Sequence, residues 1–234
     1  MLVERLKDPA IRQRIAEDTL AHGALSGGSA KRALIKMGRW DKIWLAGASG
    51  ENAKLAGKSL QEIAQIRGTD PFTALFDILI EEKATPLMLG EDKDPEDLKR
   101  VMRHPSSGIV SDGFALGPRG KLLSGKQHPR SYGTFALFLG RYVREEKVVP
   151  LEEAIRKITS FPAWRLHLRD RGVLREGAFA DVVLFDPDRI ADRATFSEPY
   201  QYPVGIEYVL VNGEVVAERG AHTGVLPGMV LRSH

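Results

Sequence analysis

Asp112 closes the short apolar run Gly108-Ile-Val-Ser-Asp112-Gly113, and a carboxylate there can do two kinds of chemistry. It can ligate a divalent metal, or it can act as general base on a metal-bound water. The run reads as a buried strand that delivers one acid at its C-terminal tip, the end at which α/β barrels gather catalytic groups. Ser-Asp-Gly is also ordinary turn chemistry, so the tripeptide alone leaves both readings open. Downstream, His128-Pro129-Arg130 precedes Gly133-Thr134-Phe135, and the intervening loop, rich in glycine, proline and lysine, has the length of functional loops. The histidines are His22, His104, His128, His167, His222 and His234, and no two have a spacing that builds a zinc site. His104, before a proline, reads as a helix-end residue, and His22, His167 and His222 lie in polar contexts that suit a surface role.

The elements that must position these residues alternate. Residues 3–20 place Leu6, Ile11, Ile15 and Leu20 at helical spacing, with a fresh start at Asp8-Pro9. Ser26-Gly27-Gly28-Ser29 reads as a flexible loop, since no P-loop lysine follows. Trp40 to Gly47 predicts a short buried strand closed by glycine. The capping box Ser59-Leu-Gln-Glu62 predicts a helix to about Ile66, and Asp70-Pro71 opens another with Phe72, Leu75, Phe76, Leu79 and Ile80 on one face. Pro86 to Gly90 reads as a strand or extended loop. Asp94-Pro95 then caps a helix to about Arg103, which His104-Pro105 ends. Beyond the long loop, Thr134 to Glu146 predicts a helix burying Phe135, Leu137, Phe138 and Tyr142. Pro150 opens another to about Thr159, and a third follows Phe161-Pro162. This is α/β order, with parallel strands and helices outside. From Gly172 the period becomes alternating. Strands are expected at Asp181 to Phe185, Ile206 to Val211 and Glu214 to Ala217, the last two flanking the hairpin signal Asn212-Gly213. The expected division is residues 1–170 and a small β domain at 171–234.

The 234 residues are long enough to bury a substantial core, and 43% hydrophobic with 28% charged content is that of a globular protein. A scattered net charge of +3 argues against nucleic acid as a partner. Without cysteine there is neither a disulfide framework nor a thiolate metal site, which fits the cytoplasm. The first residues alternate charges where a signal peptide needs an apolar core, and no run approaches a membrane span.

Taken together, these segments resemble the C-terminal half of D-aminoacylases, the N-acyl-D-amino-acid deacylase branch of the amidohydrolase superfamily. Ser111-Asp112-Gly113, His128-Pro129-Arg130 and Gly133-Thr134-Phe135 carry the resemblance, together with the helix from Leu151 to Ala163 and the stretch from Arg171 to Asp186. Val211 to Val216 and the close Gly224…Pro227-Gly228 belong to the wider superfamily. The resemblance implies a (β/α)8 barrel, present here in part, with a zinc site and a β domain of composite sandwich type. The implied reaction is hydrolysis of an N-acyl-D-amino acid to a D-amino acid and a carboxylate. By resemblance, Asp112 assists the hydrolytic water and is a possible metal ligand. Arg130 grips the substrate α-carboxylate, a task its fork suits, and His128 shapes the substrate loop rather than ligating metal. The superfamily's His-x-His and middle-strand histidines have no counterpart in this sequence, so this chain alone is expected to lack a complete zinc site. Only about three barrel strands are found where closure needs eight. The expected partners are therefore a missing N-terminal half or a second copy, besides the substrate. Two other readings stay open: a non-catalytic oligomerising or partner-binding remnant, and a cyclic-amide hydrolase of dihydroorotase or hydantoinase type.

Overall fold

The computed structural model describes residues 2–22, 30–91, 93–117 and 125–232. The loop predicted at Ser26 to Ser29, and His234, lie outside the described residues. The chain forms two compact units, each interleaved in sequence. The expected boundary at 170/171 falls inside the second of them. Among the described residues no helix is long and apolar enough to cross a membrane.

The first unit comprises residues 1–93, 117–128 and 195–200. It begins with helices α1 (Leu2–Leu6), α2 (Pro9–His22) and α3 (Ala30–Lys36). Strand β1 (Ile43–Gly47) is central in a three-stranded sheet, flanked by β2 (Lys58–Ser59) and β3 (Leu87–Gly90). Helices α4 (Leu60–Arg67) and α5 (Pro71–Glu81) start where the caps predict. Ser59 and Glu62 form the reciprocal capping box, and the Asp70 carboxylate accepts from the amides of Phe72 and Thr73. Their apolar stripes close on β1, so that Leu45, Leu60, Ile63 and Ile78 are fully buried. Trp40 packs edge-on against Phe72, with ring centroids 4.8 Å apart.

The sheet corrects one expectation. Both of its pairings are antiparallel, not parallel. The connection from β1 to β2, residues 48–57, is shorter than the roughly dozen residues of a parallel crossover, and α4 and α5 form a returning pair before β3.

The second unit comprises residues 94–116, 129–194 and 201–234. It contains α6 (Pro95–Arg103), α7 (Arg130–Leu137), α8 (Leu151–Ile158) and α9 (Ser160–Arg165). An antiparallel sheet follows in the order β4 (Val182–Phe185), β5 (Ile206–Val211), β6 (Glu214–Glu218), β7 (Ala221–His222). Asn212 and Gly213, both at positive φ (50° and 86°), make the predicted two-residue hairpin. Helix α7 runs on as a π-helix over Phe138–Glu145, and its Phe138, Leu139, Tyr142 and Val143 form the core with Met102, Val148, Val149, Ala154 and Ile190. Gly140 is required there, because a Cβ would lie 2.5 Å from the Ile190 carbonyl oxygen. Phe135, expected inside, is exposed.

The strand expected at Ile109 is also corrected. Residues 108–117 form no strand, and Val110 is 71% exposed. A strand is defined by the ladder it joins, and among the described residues no neighbouring strand pairs with this run. The chain is thus mixed α/β with two small sheets, and the described residues close no barrel.

Candidate active-site segment

Asp112 lies in the second unit, in an extended run fastened on both sides. On its C-terminal side, the Gly113 amide donates to Ser111 Oγ at 3.2 Å and the Phe114 amide to Ser131 Oγ at 3.2 Å. Gly113 must be glycine, since a Cβ would come within 2.8 Å of Ser131 Cα. On its N-terminal side, the Ile109 amide donates to the Lys157 carbonyl at 3.2 Å. Between these points Asp112 takes φ +47°, a left-handed conformation that costs a non-glycine residue about 1 kcal/mol and that aspartate tolerates better than most.

This arrangement brings two of the predicted residues together. Arg130, the first residue of α7, holds the Asp112 carboxylate at 3.0 Å, with Asp112 81% and Arg130 40% exposed. The Arg130 carbonyl also accepts from Thr134 Oγ1 at 2.9 Å, tying the Gly133-Thr134 motif to the same helical turn. Gly133 has its own reason. A Cβ there would overlap the Asp192 carboxylate, whose Oδ1 accepts from the Ala194 amide at 2.8 Å. Burial pushes the Asp192 carboxyl above the usual range, partly countered by the Ala194 and Arg193 amides.

His128 belongs to the first unit. It packs within the first unit, edge-on to Phe196 with centroids 5.0 Å apart, and Phe196 in turn stacks on Trp44 at 5.3 Å. Trp44 Nε1 donates to Glu91 Oε1 at 3.0 Å, and Lys42 pairs with the other oxygen of Glu91. This aromatic stack had no signal in the sequence, because Trp44 and Phe196 are far apart along the chain.

The described residues, taken by themselves, show no complete metal site. Among the described residues no group of three or more His, Asp or Glu side chains converges. Asp112 is a single donor already engaged by Arg130. Two of the imidazoles serve local turns, His104 Nδ1 accepting from the Ser106 amide and His222 Nδ1 from the Gly224 amide.

Lys157 is a buried charged residue that sequence reasoning missed: its side chain is fully buried. It follows Ala154 by three positions on the inward face of α8. That spacing was the available signal, but a lysine there reads as solvent-facing.

Comparison with known proteins places these residues in a family. Residues 38–217, which include Asp112 and Arg130, match the amidohydrolase family. N-acyl-D-aspartate deacylase of Alcaligenes xylosoxydans xylosoxydans is 43% identical over 139 residues, 59% of this chain and 26% of that protein. D-aminoacylase of the same organism is 37% identical over 178 residues, 76% of this chain and 34% of that protein. The crystal structure of N-acyl-D-glutamate deacylase from Bordetella bronchiseptica, complexed with zinc and a phosphonate mimic of the tetrahedral intermediate, superposes with a TM-score of 0.64. Its identity is 37%, covering 80% of this chain and 36% of that one. The chain thus spans about a third or less of the length of the relatives it matches. It belongs to the amidohydrolase family, and within that family it is similar to the N-acyl-D-amino-acid deacylases.

Proposed function

We propose that this chain is the C-terminal portion of a hydrolase that cleaves N-acyl-D-amino acids to a free D-amino acid and a carboxylate. In this reading residues 1–170 contribute the last part of a (β/α)8 barrel and residues 171–234 its small β domain. The zinc that the family resemblance implies takes Asp112 as a possible ligand and needs its remaining ligands from another polypeptide. A missing N-terminal half or a second copy then completes the site, and a cysteine-free chain of this kind suits the cytoplasm.

Two side chains of this chain carry the chemistry. The Asp112 carboxylate accepts a proton from the attacking water and returns it to the leaving amine nitrogen. The Arg130 fork pairs with the substrate α-carboxylate. In the free chain the two groups neutralise each other, and an incoming carboxylate replaces Asp112 on the guanidinium. His128 shapes the loop that leads to Arg130. The observation that carries the reading is the 3.0 Å pair between Asp112 and Arg130, inside the family-matched span.

The test supplies the chain with the remaining residues of a deacylase relative as a second polypeptide, in the presence of zinc. Chiral chromatography then follows N-acetyl-D-glutamate, N-acetyl-D-aspartate and their L-enantiomers. Release of D-amino acid only, lost in Asp112→Ala, is expected. Turnover of hydantoins or dihydroorotate instead would move the chain to cyclic amides. Turnover by this chain alone would overturn the assignment of the metal ligands to other polypeptide.

A further inference from the structure

Lys157 sits on α8 with its side chain fully buried, and a buried ammonium must find acceptors or lose its charge. It has four. Nζ donates to the His104 carbonyl at 2.5 Å, the Ser107 carbonyl at 2.9 Å and Ser107 Oγ at 3.2 Å, and it lies 3.4 Å from Glu153 Oε1. Three of these acceptors lie on one short stretch, the turn that leaves α6, and the fourth is on α8 itself. Helix α8 makes two more bonds to the chain between α6 and Asp112: Arg156 Nη2 donates to the Pro105 carbonyl at 2.8 Å, and the Lys157 carbonyl accepts from the Ile109 amide at 3.2 Å. Gly108 passes so close to the Phe161 ring that a Cβ would lie 3.1 Å from it. The acid follows three residues after Ile109, and its far side is fixed by Ser131.

We propose that Lys157 is the positioning residue for Asp112. Its ammonium pins residues 104–107 to α8, so that the run 108–112, which joins no strand among the described residues, still presents its carboxylate to Arg130. The inference rests on Asp112 being a functional acid. A lysine suits the task because three carbonyl or hydroxyl oxygens on one turn match the three donors of an ammonium, whereas an apolar residue would leave them buried and unsatisfied.

Amide hydrogen exchange and Arg130 side-chain NMR on the full chain test this, comparing wild type with Lys157→Met. The amides of Ile109 to Gly113 are expected to exchange at least tenfold faster, while those of Phe135 to Leu137 in α7 and of β5 change less than twofold. The Arg130 Nη–H signals are expected to shift towards those measured for Asp112→Asn, where the partner charge is removed directly. A uniform rise across the second unit would show a merely structural lysine and overturn the proposal, as would unchanged exchange at residues 109–113. If Lys157→Met does not fold, Ser107→Ala removes one acceptor and decides: about threefold faster exchange at 109–113 supports positioning, and none overturns it. Neither readout involves hydrolysis, so failure of the deacylase reading shows in the turnover test and failure of positioning shows here.

Discussion

The sheets of the two units have nearly opposite surroundings. In the first unit, β1 runs through the core, with Ile43, Leu45 and Ala46 buried under α4 and α5. In the second, no residue of β4, β5 or β6 is buried, and Val183 and Leu184 on β4 are exposed. A sheet packed by its own helices owes its stability to side-chain burial. A sheet that touches its core only through partly buried residues such as Phe185 and Ile206 relies more on its ladder, its turn and whatever fixes its ends. Here that fixing group is Arg171. It is buried, hydrogen-bonds Asp181 and Asn212 Oδ1 (2.7 Å), and lies 4.1 Å over the Phe179 ring. The Asp181 carboxylate also accepts from the Asn212 amide at 2.8 Å, so one network ties β4 to the hairpin of β5 and β6.

Substitutions should separate the two modes. Leu45→Ala empties a fully buried site beside Leu60 and Ile78 and is expected to cost about 3 kcal/mol. Val209→Ala on half-buried β5 should cost about 1 kcal/mol or less. Urea denaturation read by Trp40 and Trp44 fluorescence for the first unit, and by amide exchange of β5 for the second, measures both. Equal costs would break the contrast. Next in size is Arg171→Met, expected to cost about 2 kcal/mol. A broken buried pair costs more, but Asp181 is partly exposed and keeps the Asn212 amide. The loss should appear as faster exchange in β5 and β6; a change confined to the Arg171 loop would show that the network does not hold the sheet.

The same contrast explains what could be read in the sequence. Helix starts were legible, because a cap and its amides lie within three residues of each other. Ser59, Asp70 and Asp94 all cap as expected. The Asn212-Gly213 hairpin was legible for the same local reason. Strand direction was not, since whether β1 pairs parallel or antiparallel depends on where α4 and α5 return the chain. The run around Ile109 has the composition of a strand but no ladder among the described residues, a fact its own residues do not encode. For the site, Asp112 and Arg130 stood out by type and by family resemblance. Their mutual pairing, and the role of Lys157, depend on contacts between α8, α7 and the run between them.

Acidity probes the clamp on that run. The Arg156 guanidinium, with Lys157 adding to it, holds the Glu153 carboxyl down at about 2, from an ordinary 4.5. A depressed folded-state value stabilises fully above the unfolded pKa and is lost as pH falls through the folded one. Glu153→Gln should therefore lower the Tm of the second unit at pH 6, and the difference should shrink from about pH 4.5 and vanish near pH 2. A difference that persists unchanged to pH 2 would mean that the carboxylate charge is not what braces α8.

The smallest expected effect is at Asp112 itself. Its pair with Arg130 is exposed, and exposed pairs contribute roughly 0–1 kcal/mol. The backbone at φ +47° costs about as much in the opposite sense. Asp112→Asn keeps a residue that tolerates this conformation and removes only the charge, so urea denaturation should place it within about 0.5 kcal/mol of wild type. Asp112→Gly removes the strain as well as the pair and should be equally neutral. Neutral values for both would leave the carboxylate without a structural task, as the functional role proposed for it requires. A loss above about 2 kcal/mol in Asp112→Asn would make the carboxylate a structural anchor, and the hydrolytic role assigned to it would fall with that result.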